Sequence, residues 1–212
     1  FSGYSITGLL GVSNLKLISQ QTNYFSPDEY LNPYLHTWSL GIEEQFYLIF
    51  PLIFLPFVRT ERRWYFWLAA GALWFASFLL AWHWSQVAAE RAYLSPLSRF
   101  WELATGVLLA LAGVTSRFKR LLAKFKKFAG LIQVFALLLL LLSFALLSNK
   151  GSYPMPGVVL PVLASAVLLG FGAGTPLAVL AQSNGLQALG AVSYSLYLYH
   201  WPCIVFARYL FG

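Results

Sequence analysis

Apolar residues in this chain do not alternate with polar ones. They come in long runs, such as FYLIFPLIFLPFV at 46–58 and VFALLLLLLSFALL at 134–147. A run of about 20 such residues is long enough to cross a bilayer, and in lipid the backbone must satisfy its own hydrogen bonds, so the runs predict helices. Six spans are expected, at about 39–58, 64–84, 97–114, 128–148, 157–173 and 188–210, with residues 1–19 as the tail of another. The segment QQTNYFSPDEYLNPYLHTW at 20–38 carries Pro27, Pro33, two Asn and the pair Asp28–Glu29, which is loop chemistry. No internal repeat is visible, and the leucine run 137–142 suits a lipid-facing helix. The predicted fold class is all-α, a polytopic transmembrane helix bundle.

Composition agrees with that reading. Of 212 residues, 59% are hydrophobic, 18% aromatic and only 10% charged, with a mean hydropathy of +0.67, whereas soluble domains carry about 25% charged residues. The net charge of +7 would suit a nucleic-acid partner, but six of the fourteen basic residues, Arg117, Lys119, Arg120, Lys124, Lys126 and Lys127, sit in one connector between apolar runs. Basic residues at span ends mark the cytoplasmic side. Arg59, Arg62 and Arg63 fall on the same face by alternation, and the 20–38 loop and the 85–96 connector fall on the outer face. The expected partner is the bilayer, and nucleic acid is not expected. The lone Cys203 excludes an internal disulfide and a cysteine-rich zinc site, and three scattered histidines supply no metal motif. Phe1 is not preceded by a signal-peptide pattern, so the expectation is of a fragment that opens inside or beside an earlier span.

Three polar constellations interrupt the apolar pattern. In YLHTWSLGIEEQFYLIFPLIF, residues 34–54, Glu43 and Glu44 fall in the first turns of a helix, where the macrodipole favours negative charge by only about 0.3–1 kcal/mol. Ser39 and Glu43 are one residue too far apart for a capping box. Carried into helical register, His36, Ser39 or Leu40, Glu43 and Tyr47 form one stripe. That stripe is either an inert set of headgroup-level residues or a histidine and a carboxylate that orient each other for proton transfer. In LSRFWELATG, residues 97–106, Arg99 and Glu102 stand at i, i+3, as a structural ion pair or with Arg99 free to bind phosphate or carboxylate. In LGAVSYSLYLYHWPCIVF, residues 189–206, Ser193, Tyr197 and His200 share a helical face. Pro202 cannot donate to the carbonyl of Leu198, which predicts a kink beside His200. The competing reading of that segment is an interfacial aromatic belt, to which His83 is also assigned.

At these residues the chain resembles a known family. LNPYLHTWSLGIEEQFYLIFP resembles the signature of the acyltransferase-3 family of bacterial multi-pass membrane enzymes, which includes O-antigen and other polysaccharide O-acetylases. SRFWELATGVLLA and LGAVSYSLYLYHWP are similar to its later motifs, in the expected order. The likeness runs from about Tyr24 to the C-terminus. It implies that residues 1–212 are the C-terminal portion of one membrane-embedded acyltransferase domain of about ten spans. The family's catalytic histidine, with an arginine shortly before it, belongs to a first span that this chain lacks, and the fragment by itself is expected to be inactive.

The resemblance further implies transfer of an acyl group, commonly acetyl, from a cytoplasmic acyl donor to a hydroxyl of a cell-envelope glycan such as lipopolysaccharide at or beyond the outer face, by a multi-pass protein of the bacterial cytoplasmic (inner) membrane. No bound cofactor is implied; acetyl-CoA or a similar acyl donor is the co-substrate. The implied catalytic positions are His36, Glu43 and Glu44. The implied substrate-binding positions are Trp38, Ser39, Arg99, Glu102, Ser193, Tyr197 and His200. Other classes fit the same polar residues: a transporter or flippase for a lipid-linked glycan or small acid, or a non-catalytic truncated remnant.

Overall fold

The computed structural model describes residues 2–20, 31–58, 64–146, 154–171 and 175–211, and among these every regular element is helical. In chain order they are α1 (Ser2–Leu9), α2 (Ser13–Gln20), α3 (Thr37–Val58), α4 (Trp64–Val87), α5 (Ala89–Leu94), α6 (Pro96–Gly113), α7 (Ser116–Lys124), α8 (Ala129–Leu146), α9 (Val159–Gly170), α10 (Pro176–Ala181) and α11 (Asn184–Phe211). Arg59, Arg62 and Arg63, which helped to set the predicted orientation, and the Asp28–Glu29 pair lie outside the described residues.

Each expected span coincides with a helix, but the helices are not equally suited to lipid. Among the described residues three are long and apolar enough to cross a membrane: Thr37–Leu55, Trp64–Val87 and Lys126–Leu146. A fourth would follow if α6 and α7, bent by 92°, were one span. The 12 residues of α9 reach about 18 Å at 1.5 Å per residue, short of a hydrocarbon core of about 30 Å. The 28 residues of α11 are long enough, but α11 is not among the helices apolar enough to pass the same test.

The chain divides into two compact units, residues 1–100 with 191–212, and residues 101–190. In the first, the predicted tail of a span is broken into α1 and α2. Gly11 takes a left-handed φ of 65°. Its N–H donates to the Gly8 carbonyl at 3.3 Å, and Val12 donates to Thr7 at 2.9 Å, the paired bonds of a Schellman turn. Helix α3 crosses this turn at Gly41, where an added Cβ would stand 2.8 Å from the Gly11 carbonyl oxygen. Only glycine permits that approach. One helical turn on, the Gln45 amide donates to the same carbonyl at 2.7 Å and to Asn14 Oδ1 at 2.8 Å. Asn14, fully buried, donates in turn to the Leu94 carbonyl at the end of α5, 3.2 Å away. Ser13 and Thr37 hydroxyls meet at 2.8 Å. Below this polar knot the core is aromatic: Phe46, Phe50 and Phe54 follow at i, i+4 with centroids 5.2 and 4.4 Å apart, and Phe54 meets Phe66 of α4 at 4.8 Å.

In the second unit α8 and α9 pack along a stripe of small and polar residues. Ala129, Gln133, Ala136 and Ser143 are the buried positions of α8, at spacings of four, three and seven, which is one helical face. Small side chains allow apolar helices to approach closely. The Gln133 amide fastens the pair by donating to the Leu168 carbonyl at 3.2 Å.

Candidate active site

The loop that precedes α3 is folded by its own polar atoms. Asn32 Oδ1 accepts from the Tyr34 N–H at 3.0 Å, and Thr37 Oγ1 donates to the Tyr34 carbonyl at 2.8 Å. These bonds fix His36 immediately before the first turn of α3. Helix α11 arrives beside it from more than 150 residues away. The Tyr197 hydroxyl donates to the His36 carbonyl at 2.6 Å and also contacts the Ser39 hydroxyl. Trp201 Nε1 donates to the Asn32 carbonyl at 2.9 Å.

The rings close into a triangle. His36 and Tyr197 centroids are 5.3 Å apart, His36 and His200 5.4 Å, and Tyr197 and His200 5.5 Å. Within α11, His200 Nδ1 lies 2.6 Å from the Tyr197 carbonyl. A proton on Nδ1 makes that contact a hydrogen bond and leaves Nε2 with its lone pair. Both His36 ring nitrogens are buried, and no group meets them in good hydrogen-bond geometry, although the carbonyls of Leu198 and Pro33 act on the ring electrostatically. The Leu198 carbonyl is the one that Pro202 leaves without its helical donor. The proline thus exposes an acceptor toward a histidine of a distant motif.

Burial pushes the His36 imidazole below its usual titration range. The nearby His200 pushes in the same direction, and the Leu198 and Pro33 carbonyls oppose. The neutral form is therefore the one the fold favours at pH 7. Because the folded value lies below the unfolded one of 6.5, the stability contributed by neutral His36 is complete well above pH 6.5 and is lost as pH falls through that value toward the folded pKa. Carbon-13 histidine NMR on the complete protein should show one imidazole titrating below the free-histidine value. His200→Gln should move that resonance upward, because one of the causes is removed. An unchanged midpoint in that variant would break the proposed coupling of the two rings.

A second cluster lies in the same unit. Trp38, buried at 5% exposure, packs on Tyr93 with centroids 4.4 Å apart. The Arg99 guanidinium stands 5.6 Å from the Trp38 ring and 5.8 Å from the Tyr93 ring, within cation–π range. Glu43, on the exposed side of α3, is close enough for its charge and that of Arg99 to act on each other. Three sequence motifs therefore converge in one unit: His36, Trp38, Ser39 and Glu43 from the first, Arg99 from the second, and Tyr197 with His200 from the third.

Glu44 lies over Gly11, whose missing side chain makes room for its carboxylate. Ser193 is on an exposed stretch of α11, one turn before Tyr197. Glu102 belongs to the second unit, where it lines a cavity of about 360 Å³ with Thr105, Phe144, Val162 and Ser165. His83 is exposed near the end of α4. Asn14, Gln45 and Tyr93 were not singled out by pattern. Gln45, a third polar residue following two glutamates in an apolar run, was the available signal. The pairing of Asn14 with it depends on a turn that no periodicity announces.

Apolar helices that can cross a bilayer, together with a half-buried histidine, tyrosine and arginine, define a membrane protein with a polar site. The model of the acyltransferase domain matches residues 2–212, and the chain belongs to the acyltransferase-3 family. It is 32% identical over 197 residues to BcsY of Komagataeibacter xylinus, named as a candidate membrane-bound transacylase, covering 91% of this chain and 47% of that protein. It is 32% identical over 215 residues to the O-acetyltransferase OatA of Staphylococcus aureus strain NCTC 8325, covering 96% of this chain and 35% of that one. The chain thus spans about half or less of the length of these relatives. No solved structure matches it.

Proposed function

We propose that this chain is part of a membrane-bound O-acyltransferase that moves an acyl group, most simply acetyl, from a thioester donor such as acetyl-CoA to a hydroxyl of a cell-envelope glycan at the bacterial inner membrane. The observation that carries the reading is the Tyr197 hydroxyl bonded to the His36 carbonyl, which joins two motifs 161 residues apart around a histidine pair. Family membership and a relative named O-acetyltransferase support the reaction class.

The acceptor hydroxyl oxygen attacks the thioester carbonyl carbon, a C–O bond forms and the C–S bond breaks. The hydroxyl proton passes to the histidine base that the family resemblance puts in the first span, is relayed through the neutral imidazoles of the His36–His200 pair, and reaches the departing sulfur. His36 is suited to this because the fold keeps it neutral; Tyr197 and Ser39 fix its backbone, and preorganisation of this kind lowers the barrier. Arg99, seated on Trp38 and Tyr93 and balanced by Glu43, takes a phosphate of the donor. A planar guanidinium suits that task.

Membranes that hold the complete protein should transfer labelled acetyl from the thioester to glycan as a hydroxylamine-labile ester. Glycan that crosses the membrane without acquiring label would replace this reading with transport.

A further inference from the structure

The connector 115–128 has no part in the chemistry above, yet it holds six of the fourteen basic residues and no acidic one. Its geometry is set by Thr115. The hydroxyl donates to the Ala112 carbonyl at 2.8 Å and accepts from the Phe118 N–H at 3.3 Å, closing the end of α6 and capping α7 with one side chain. The two helices meet at 92°. After α7 comes a single 3-10 turn, Lys126–Phe128, and then α8, whose apolar stretch Lys126–Leu146 can cross a membrane. A helix that turns aside where an adjoining span begins is placed to run along the membrane surface.

The sequence of α7, SRFKRLLAK, fits that position. At about 100° per residue, Phe118, Leu121 and Leu122 share one side. Arg120 and Lys124 lie away from that side, and Arg117 and Lys119 flank it, Arg117 beside Leu121 and Lys119 beyond Leu122. No residue of α7 is buried, and Leu121, Phe125 and Phe128 are 50%, 45% and 52% exposed. A helix with basic residues on one face and Phe and Leu on the other has the composition of one that lies in the headgroup region. Free phosphate or nucleic acid would use the bases but give no role to the apolar side. Neither the Glu102 cavity nor the cleft lined by Leu17, Ala88, Glu90 and Arg91 includes a residue of this connector.

We infer that α7 and the turn after it form an anionic-lipid-binding elbow. Phe118, Leu121 and Leu122 enter the boundary between headgroups and acyl chains, while Arg117, Arg120 and Lys124 hold the phosphates of anionic headgroups. Lys126 and Lys127 extend the basic side to the start of α8.

The complete protein is reconstituted in vesicles of phosphatidylcholine, with or without roughly 30% phosphatidylglycerol, an anionic-surface mimic. Leu121→Cys, in a background stripped of other cysteines, carries an environment-sensitive fluorophore. The label should shift to the blue and be quenched by headgroup-level nitroxide lipids, more strongly when phosphatidylglycerol is present. Replacing Arg117, Arg120 and Lys124 together with Gln should reduce the phosphatidylglycerol retained by the purified protein about ten-fold or more. A fluorophore equally wet in both vesicles, or unchanged lipid retention in the triple variant, overturns the proposal. So does a label that ignores phosphatidylglycerol but responds to added coenzyme A, which would assign the bases to a soluble phosphate. The result does not depend on whether acyl transfer is observed.

Discussion

His36→Gln should lower turnover by the complete protein about 10²–10⁴-fold, the range contributed by a positioned acid–base group, with little change in membrane yield. The structure makes this a clean substitution. Tyr197 is held by the His36 carbonyl, and Ser39 reaches the same oxygen at 3.4 Å, so the backbone bonds that tie α11 to the start of α3 survive any side chain at position 36. The side chain contributes the buried imidazole, which a glutamine amide replaces in bulk without a comparable basicity. Steady-state transfer of labelled acetyl is the measurement, with protein quantified separately in the membrane. Turnover within about three-fold of the parent, well inside the acid–base range, would remove His36 from proton transfer and leave the histidine pair as packing.

Arg99→Lys should raise the KM for the acyl donor about ten- to a hundred-fold, since a hydrogen bond to a charged group contributes about 1.5–3 kcal/mol. Lysine keeps the charge that faces Glu43 but not the planar fork that rests on Trp38 and Tyr93. The two roles of Arg99 are therefore separable. If it only balances Glu43, Arg99→Lys keeps donor affinity, and Arg99→Ala is rescued in yield by Glu43→Gln, because neither variant partner then leaves an uncompensated charge. If it binds phosphate, the double variant recovers yield but not KM. Donor titration of the three variants distinguishes these outcomes.

Helix positions were legible because apolar runs of this length leave few alternatives. The reading of 39–58 as a span matched α3 (Thr37–Val58), and that of 64–84 matched α4 (Trp64–Val87). Residues 1–19 were legible only as apolar chain. Their division into α1 and α2 turns on one left-handed glycine, and Gly11 is distinguished from the chain's other described glycines by what α3 does about thirty residues on. Pattern also placed Tyr197 and His200 on one face and gave Pro202 a consequence, a freed carbonyl, but it could not say that His36 would meet it. Helical spacing put Arg99 and Glu102 on one face of α6, but it could not say that Arg99 would also stand over Trp38 and Tyr93 or that Glu102 would line a cavity. Sequence periodicity reports faces; partners on other elements come from three-dimensional closure.

The buried amides impose an order on biogenesis. Asn14 and Gln45 can satisfy each other early, but the last acceptor of Asn14 is the carbonyl of Leu94, which leaves the ribosome 80 residues later. A buried polar group without its partners is costly, so the nascent α2–α3 pair remains unfinished until α4 has inserted and α5 has docked. Truncation before residue 94 should therefore yield a chain that quality-control proteases recognise, even though its most apolar helices are already in place.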